Sequence, residues 1–179
     1  MTIGNKYLQI IIERFLSIKS LGDKTLNQLS EEDIHWQYID QCNSTAAIVK
    51  HMSGNMVSRW TDFLTSDGEK PDRKRDDEFV DDISSKVILT RLWEEGWQVL
   101  MDTLEGLSEE DLLKEVTIRG EKHLVIEAIE RQVAHYASHT GQLIYIAKQL
   151  KNEEWETLSI PKGKSDEYLK YMTDKHKGK

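Results

Sequence analysis

Residues 127–147 read E-A-I-E-R-Q-V-A-H-Y-A-S-H-T-G-Q-L-I-Y-I-A. Within them Ile129, Val133, Tyr136, Leu143 and Ala147 recur at spacings of three and four or their sum, which places them on one face of an α-helix and turns that face to a core. His135 and His139 sit one turn apart beside the stripe. Side chains four apart on a helix project side by side, so two imidazoles can reach one metal ion without help from loop geometry. A third ligand has to come from elsewhere in the chain.

The segment T-A-A-I-V-K-H-M-S-G-N-M-V-S-R-W-T-D-F-L supplies one. Asn43 and Ser44 are good N-caps, and the helical register runs from them to about Leu64. Ile48, Met52, Met56 and Phe63 share a face, with His51 and Asn55 close to it. A lone histidine on an apolar face is more often a hydrogen-bonded core residue than a ligand, but His51 has the His135/His139 pair as company. Glu32-x-x-His35 has the spacing used by di-iron bundles; those need two such pairs, so a polar residue on a connecting segment is the better reading.

Two further helices complete the pattern. From Lys6, the positions Leu8, Ile11, Phe15 and Ile18 repeat at helical spacing; Gly22 and Asp23 interrupt weakly, and Leu26 and Leu29 extend the stripe before the S-E-E-D cap at Ser30. Residues 84–105 carry Val87, Trp93, Trp97, Leu100, Met101 and Leu104 on one broad side, ended by Gly106. Residues 66–82 hold a dense mixture of both charges, including Arg73-Lys74-Arg75, and read as an exposed loop. Val116 to Val125 suggests a small hairpin, with His123 exposed or structural. Beyond Leu150 a polar tail, free to move from about residue 160, wraps the helices and frays at its end.

The totals narrow the function. A chain of 179 residues is expected to form a single domain, 1–179. Its net charge of −8 argues against a nucleic-acid or anionic-membrane surface. One cysteine, Cys42, excludes an intramolecular disulfide and fits a reducing, cytoplasmic setting; the thiol reads as idle rather than reactive. No segment approaches the apolar length of a membrane span.

The expected fold is therefore all-α, an antiparallel four-helix bundle with a long loop between helices two and three. His51, His135 and His139 form its candidate metal site, with positions left open to water or substrate. Asn55, Arg59 and Arg131 follow or precede these histidines by whole turns and form a candidate substrate pocket; the arginines either hold an acidic substrate group or pair with Glu or Asp on adjacent helices.

At these residues the sequence resembles the DinB/YfiT-like metalloprotein superfamily, with one histidine in I-V-K-H-M-S-G-N-M-V-S-R-W and a pair in R-Q-V-A-H-Y-A-S-H-T-G-Q. A bacillus-type branch also shows the segments at Leu21 to Thr25, Trp93 to Trp97 and Ser159 to Ser165. The resemblance implies an up-down-down-up bundle, frequently a homodimer, holding nickel or zinc, with manganese or iron as alternatives, on His51, His135 and His139. Trp60, Phe63 and Trp155 are expected to leave a patch that a second subunit covers. Characterised relatives include transferases that use a low-molecular-weight thiol, which implies a metal-dependent thiol S-transferase or a hydrolase. The alternative is a non-enzymatic, stress-related bundle that binds metal or a small ligand.

Overall fold

The computed structural model describes residues 2–177. Five helices, α1 (Ile3–Asn27), α2 (Thr45–Trp60), α3 (Lys86–Glu105), α4 (Val125–Lys151) and α5 (Ser165–His176), account for most of them. A hairpin of β1 (Glu115–Ile118) and β2 (Glu121–Leu124) precedes α4, its turn formed by Arg119 and Gly120 at positive φ. The helices begin where side chains can satisfy their free N–H groups: Ser44 Oγ accepts from the Ala47 N–H, Ser85 Oγ from Ile88, and the Glu127 carboxylate from the Leu124 N–H. None of the described helices is long and apolar enough to cross a membrane.

The first four helices close a ring in which α1 packs on α3 and α4, and α2 packs on the same two. Cross-helix contacts give their directions. Tyr7 meets Glu130 and Phe15 meets Tyr136, so α1 and α4 run the same way. Ser53 Oγ donates to the Leu92 carbonyl and Thr103 Oγ1 to the Trp60 carbonyl, so α2 and α3 also run parallel. Trp93 meets Asp23 while Phe15 meets Trp97, which sets α1 against α3. Four aromatic side chains, one per helix, meet at the centre: Phe15, Trp60, Trp97 and Tyr136, all essentially without exposure.

Several expectations need correction. The described residues form five α-helices rather than four, alongside the expected hairpin; α5 buries none of its residues. The chain does not break at Gly22 and Asp23, because Gly22 lies under the Trp93 ring and Asp23 accepts from Trp93 Nε1 at 2.6 Å, so both are used in packing inside one continuous α1. Helix two stops at Trp60, short of Leu64, where Asp62 takes a positive φ. Val87 faces solvent, one turn outside the stripe it was assigned to. Trp60 and Phe63 are buried within the chain and Trp155 is half-buried, so they leave no patch. The fraying expected at the end of the tail concerns in part residues 178 and 179, outside the described residues.

The connection between α2 and α3 differs most from its reading. It was expected to be solvated throughout, yet Glu78 is buried and the Arg73 side chain is 4 % exposed. Opposite charges pair there, so burial does not strand them. Asp67 ties the same connection to the hairpin by accepting from the N–H groups of Arg119 and Gly120, each at 2.8 Å.

The parallel packing of α2 on α3 depends on a close approach at Gly96, where a Cβ would lie 2.9 Å from Ser53 Cα. Gly96→Ala is expected to destabilise the protein by about 1–3 kcal/mol through overpacking. An unshifted denaturant midpoint would show that the two backbones are not in contact there.

Candidate metal centre

α2 and α4 run antiparallel: Asn55 meets Tyr136, while His51, one turn earlier, meets His139, further along α4, as well as His135. This register brings together the three histidines predicted as ligands. His51 Nε2 lies 3.4 Å from His135 Nε2, and His139 Nε2 lies 3.1 Å from the same atom. Nitrogens held about 2.0–2.1 Å from one ion are separated by about 3 to 3.4 Å, so the observed spacing suits a shared divalent cation. His51 is buried, whereas His135 and His139 are half-buried, which leaves the cluster open on the α4 side.

Each imidazole is held from behind. His51 Nδ1 meets Glu78 Oε2 at 2.9 Å, His135 Nδ1 meets Gln132 Oε1 at 3.3 Å, and His139 Nδ1 meets Gln142 Oε1 at 3.0 Å. A carboxylate can only accept, so His51 donates from Nδ1, and in the neutral form that a metal requires its Nε2 lone pair faces the centre. The same outward donation at the other two rings turns three lone pairs inward, an arrangement suited to a cation.

Burial, then the neighbouring charges of His139, His51, Arg59 and Arg73, push the His135 pKa down to about 3. Burial also lowers that of His139. Both rings are therefore neutral at physiological pH, the form a metal requires.

Glu78 is the residue that local reading of the sequence missed. Burial opposes its ionisation, but hydrogen bonds from His51 and Arg73, and the charge of Arg73, outweigh that and hold its carboxyl below the usual range. Arg73 grips it with two bonds of 2.7 Å, from Nε to Oε1 and from Nη2 to Oε2, and itself reaches Glu69 at 3.2 Å. The next residue, Phe79, stacks on the His51 ring with centroids 4.6 Å apart. Gly54 makes room, since any side chain there would collide with the Glu78 carboxylate. Gln132 and Gln142 were legible in principle, each standing three residues from its histidine on the same helix. Glu78 lies 27 residues from His51 in a charged loop, with no periodicity to mark it.

The weaker candidates fare unequally. Asn55 is buried and its Oδ1 accepts from Tyr136 Oη at 2.9 Å, an interhelical bond. Arg59 is buried with Nε and Nη1 unpaired, its nearest carboxylate oxygen being Glu69 Oε2 at 4.0 Å. Arg131 is exposed. His35 binds Asp81 at 2.7 Å and His123 lies on β2 opposite Val116, so neither joins the centre.

The model of a protein family described as "Protein of unknown function (DUF1572)" matches residues 2–164. The chain belongs to this family. The match takes in all three histidines, Glu78 and the four helices of the ring, and stops one residue before α5. No curated protein matches the chain.

With Glu78 orienting His51, Glu78→Gln is expected to weaken divalent-metal affinity by about 10–100-fold, the usual cost of losing such a partner. Competition against a chromogenic chelator measures it. Parent-like affinity in that variant would reduce Glu78 to a structural ion-pair partner.

Proposed function

We propose that this protein is a DinB-like metalloprotein, a single cytoplasmic domain that holds one divalent transition ion, nickel or zinc before manganese or iron, on His51, His135 and His139. The convergence of three Nε2 atoms at 3.1 and 3.4 Å, each ring bonded from behind through Nδ1, carries this reading. The directions of the helices, α1 and α4 one way and α2 and α3 the other, support the up-down-down-up four-helix bundle of that superfamily, with α5 as an addition.

The enzymatic form of the proposal is a metal-dependent thiol S-transferase or hydrolase. A divalent ion at this centre supplies Lewis acidity, which lowers the pKa of a thiol or water in its open positions. The chain's own residues keep the ligands neutral and oriented. Arg59, with two guanidinium nitrogens unpaired in a buried position, is suited to hold an acidic group of a low-molecular-weight thiol, with Asn55 and exposed Arg131 nearby in sequence register. The partial exposure of His135 and His139 favours this reading, because a purely structural site is ordinarily closed.

A second reading, a non-enzymatic bundle that binds metal or a small ligand under stress, is favoured by one observation. Glu78, the carboxylate at the centre, is engaged by both His51 and Arg73 and is not free to act as a general base.

Elemental analysis of protein prepared without chelators is expected to find about one divalent ion per chain, lost in His51→Ala, His135→Ala and His139→Ala. In cobalt-substituted protein, added thiols should shift the visible spectrum. Unchanged metal content in all three variants would remove the site; a spectrum indifferent to thiols would leave the non-enzymatic reading.

We propose in addition that the protein is a homodimer, as the resemblance implies. Exposed Tyr168, Leu169 and Tyr171 on α5 offer apolar surface for a second copy. Light scattering across a micromolar concentration series should return twice the chain mass, and a constant monomer mass would exclude the dimer.

A further inference from the structure

The groove between α2 and α4 continues past the histidines. One turn further toward the start of α2 and the end of α4, it opens into a cleft of about 910 Å³, one wall of which is the connection between α1 and α2. Ile48 from α2 and Ile146 from α4 form part of its floor. The volume lies within the usual range for small-molecule sites, about 300–1,000 Å³.

Its lining is unusual for this protein. Charged residues make up 31 % of the chain, yet none of the described residues lining the cleft is Asp, Glu, Lys or Arg. Trp36 and Tyr38 stand together on one wall with ring centroids 6.4 Å apart, and Tyr145 stands on α4. Tyr38 is 79 % and Tyr145 67 % exposed, so these rings present apolar faces that none of the described residues covers. The polar groups are uncharged side chains, among them the Ser138 hydroxyl and the amides of Asn43, Gln142 and Gln149.

We infer that this cleft binds a neutral, flat small molecule carrying amide or hydroxyl groups. An ion entering it would lose hydration and gain no opposite charge, whereas an aromatic amide can stack on the rings and exchange hydrogen bonds with the side-chain amides. The acidic chain disfavours anions further. Gln142 belongs to both sites: its Oε1 meets His139 Nδ1 at 3.0 Å while its side chain lines the cleft. An occupant is thus one side chain away from the metal centre. Its relevance to chemistry there rests on the metalloprotein reading, but its binding does not, because none of the three histidines lines the cleft.

Cys42 provides the assay. It is the one cysteine of the chain, is exposed and lines the cleft, so alkylation by N-ethylmaleimide followed by mass spectrometry reports occupancy without ambiguity. On the full chain, 2-naphthamide is expected to slow alkylation saturably, while 2-naphthoate and 2-naphthylmethylammonium, of the same shape but charged, should need about tenfold higher concentration or more. Tyr145→Asp, at an exposed position that folding tolerates, should abolish protection by the amide with no change in metal content.

No protection by millimolar 2-naphthamide, equal protection by either charged analogue, or protection that survives Tyr145→Asp would each overturn the inference. Protection that rises with protein concentration alone would identify the cleft as a contact between two copies and overturn it as well. His135→Ala separates the two readings: it should lose metal and keep protection by 2-naphthamide, so failure of the metal site and failure of the cleft appear in different measurements.

Discussion

The hydroxyl of Tyr136 fixes the relation between the helices that matters most for the site. It donates to Asn55 Oδ1 at 2.9 Å and accepts from Trp60 Nε1 at 3.1 Å, while its ring packs against Phe15 and Trp97. One side chain therefore touches all four helices of the ring. A buried phenol without partners would be costly, and a one-turn slip of α2 along α4 would leave it so. Tyr136 follows His135 directly, and Asn55 follows His51 by one turn. The hydrogen bond that satisfies the core thus also determines which histidines face each other.

The parallel arrangement of α2 and α3 explains the long connection between them. Sixteen residues of α2 span roughly 24 Å, and the chain has to return over that length before α3 can start in the same direction. On its way back it passes the outer side of His51. Glu78 and Phe79 lie at that crossing, one on the edge of the imidazole and the other on its face. A buried carboxylate is tolerated there because Arg73 neutralises it through two parallel bonds. What topology requires as a crossover has become the support of the most buried ligand.

Reading by periodicity succeeded where a residue's role is local. The apolar stripes of α1 to α4, the His135/His139 pair and the placement of His51 beside a buried face all follow from spacing along one helix. It failed where the partner is distant. The charges of residues 66–82 were judged by their number, which suggests solvation, whereas their fate depends on Arg73 meeting Glu78 and Glu78 meeting His51 across the fold. Gly22 looked like a break because its packing against Trp93 spans some seventy residues. α5 was missed because its residues bury nothing, so no stripe marks it.

The charges around the centre bear on what it can bind. All three candidate ligands are imidazoles, which bring no negative charge to an ion, and the charge of Glu78 is cancelled by Arg73. A divalent ion here would keep nearly its full charge, with the buried Arg59 facing Glu69 at 4.0 Å rather than the centre's own carboxylate. An ion so held would favour an anionic ligand in its open positions, since no carboxylate among the described residues joins the three histidines. The cleft one turn away, by contrast, has no charge on its walls. An ion on the three histidines would thus divide the α2/α4 groove into a positively charged half and a neutral half, with Gln142 at their border. With an ion bound, a charged nucleophile on it and an uncharged molecule in the cleft would each sit where the other is disfavoured.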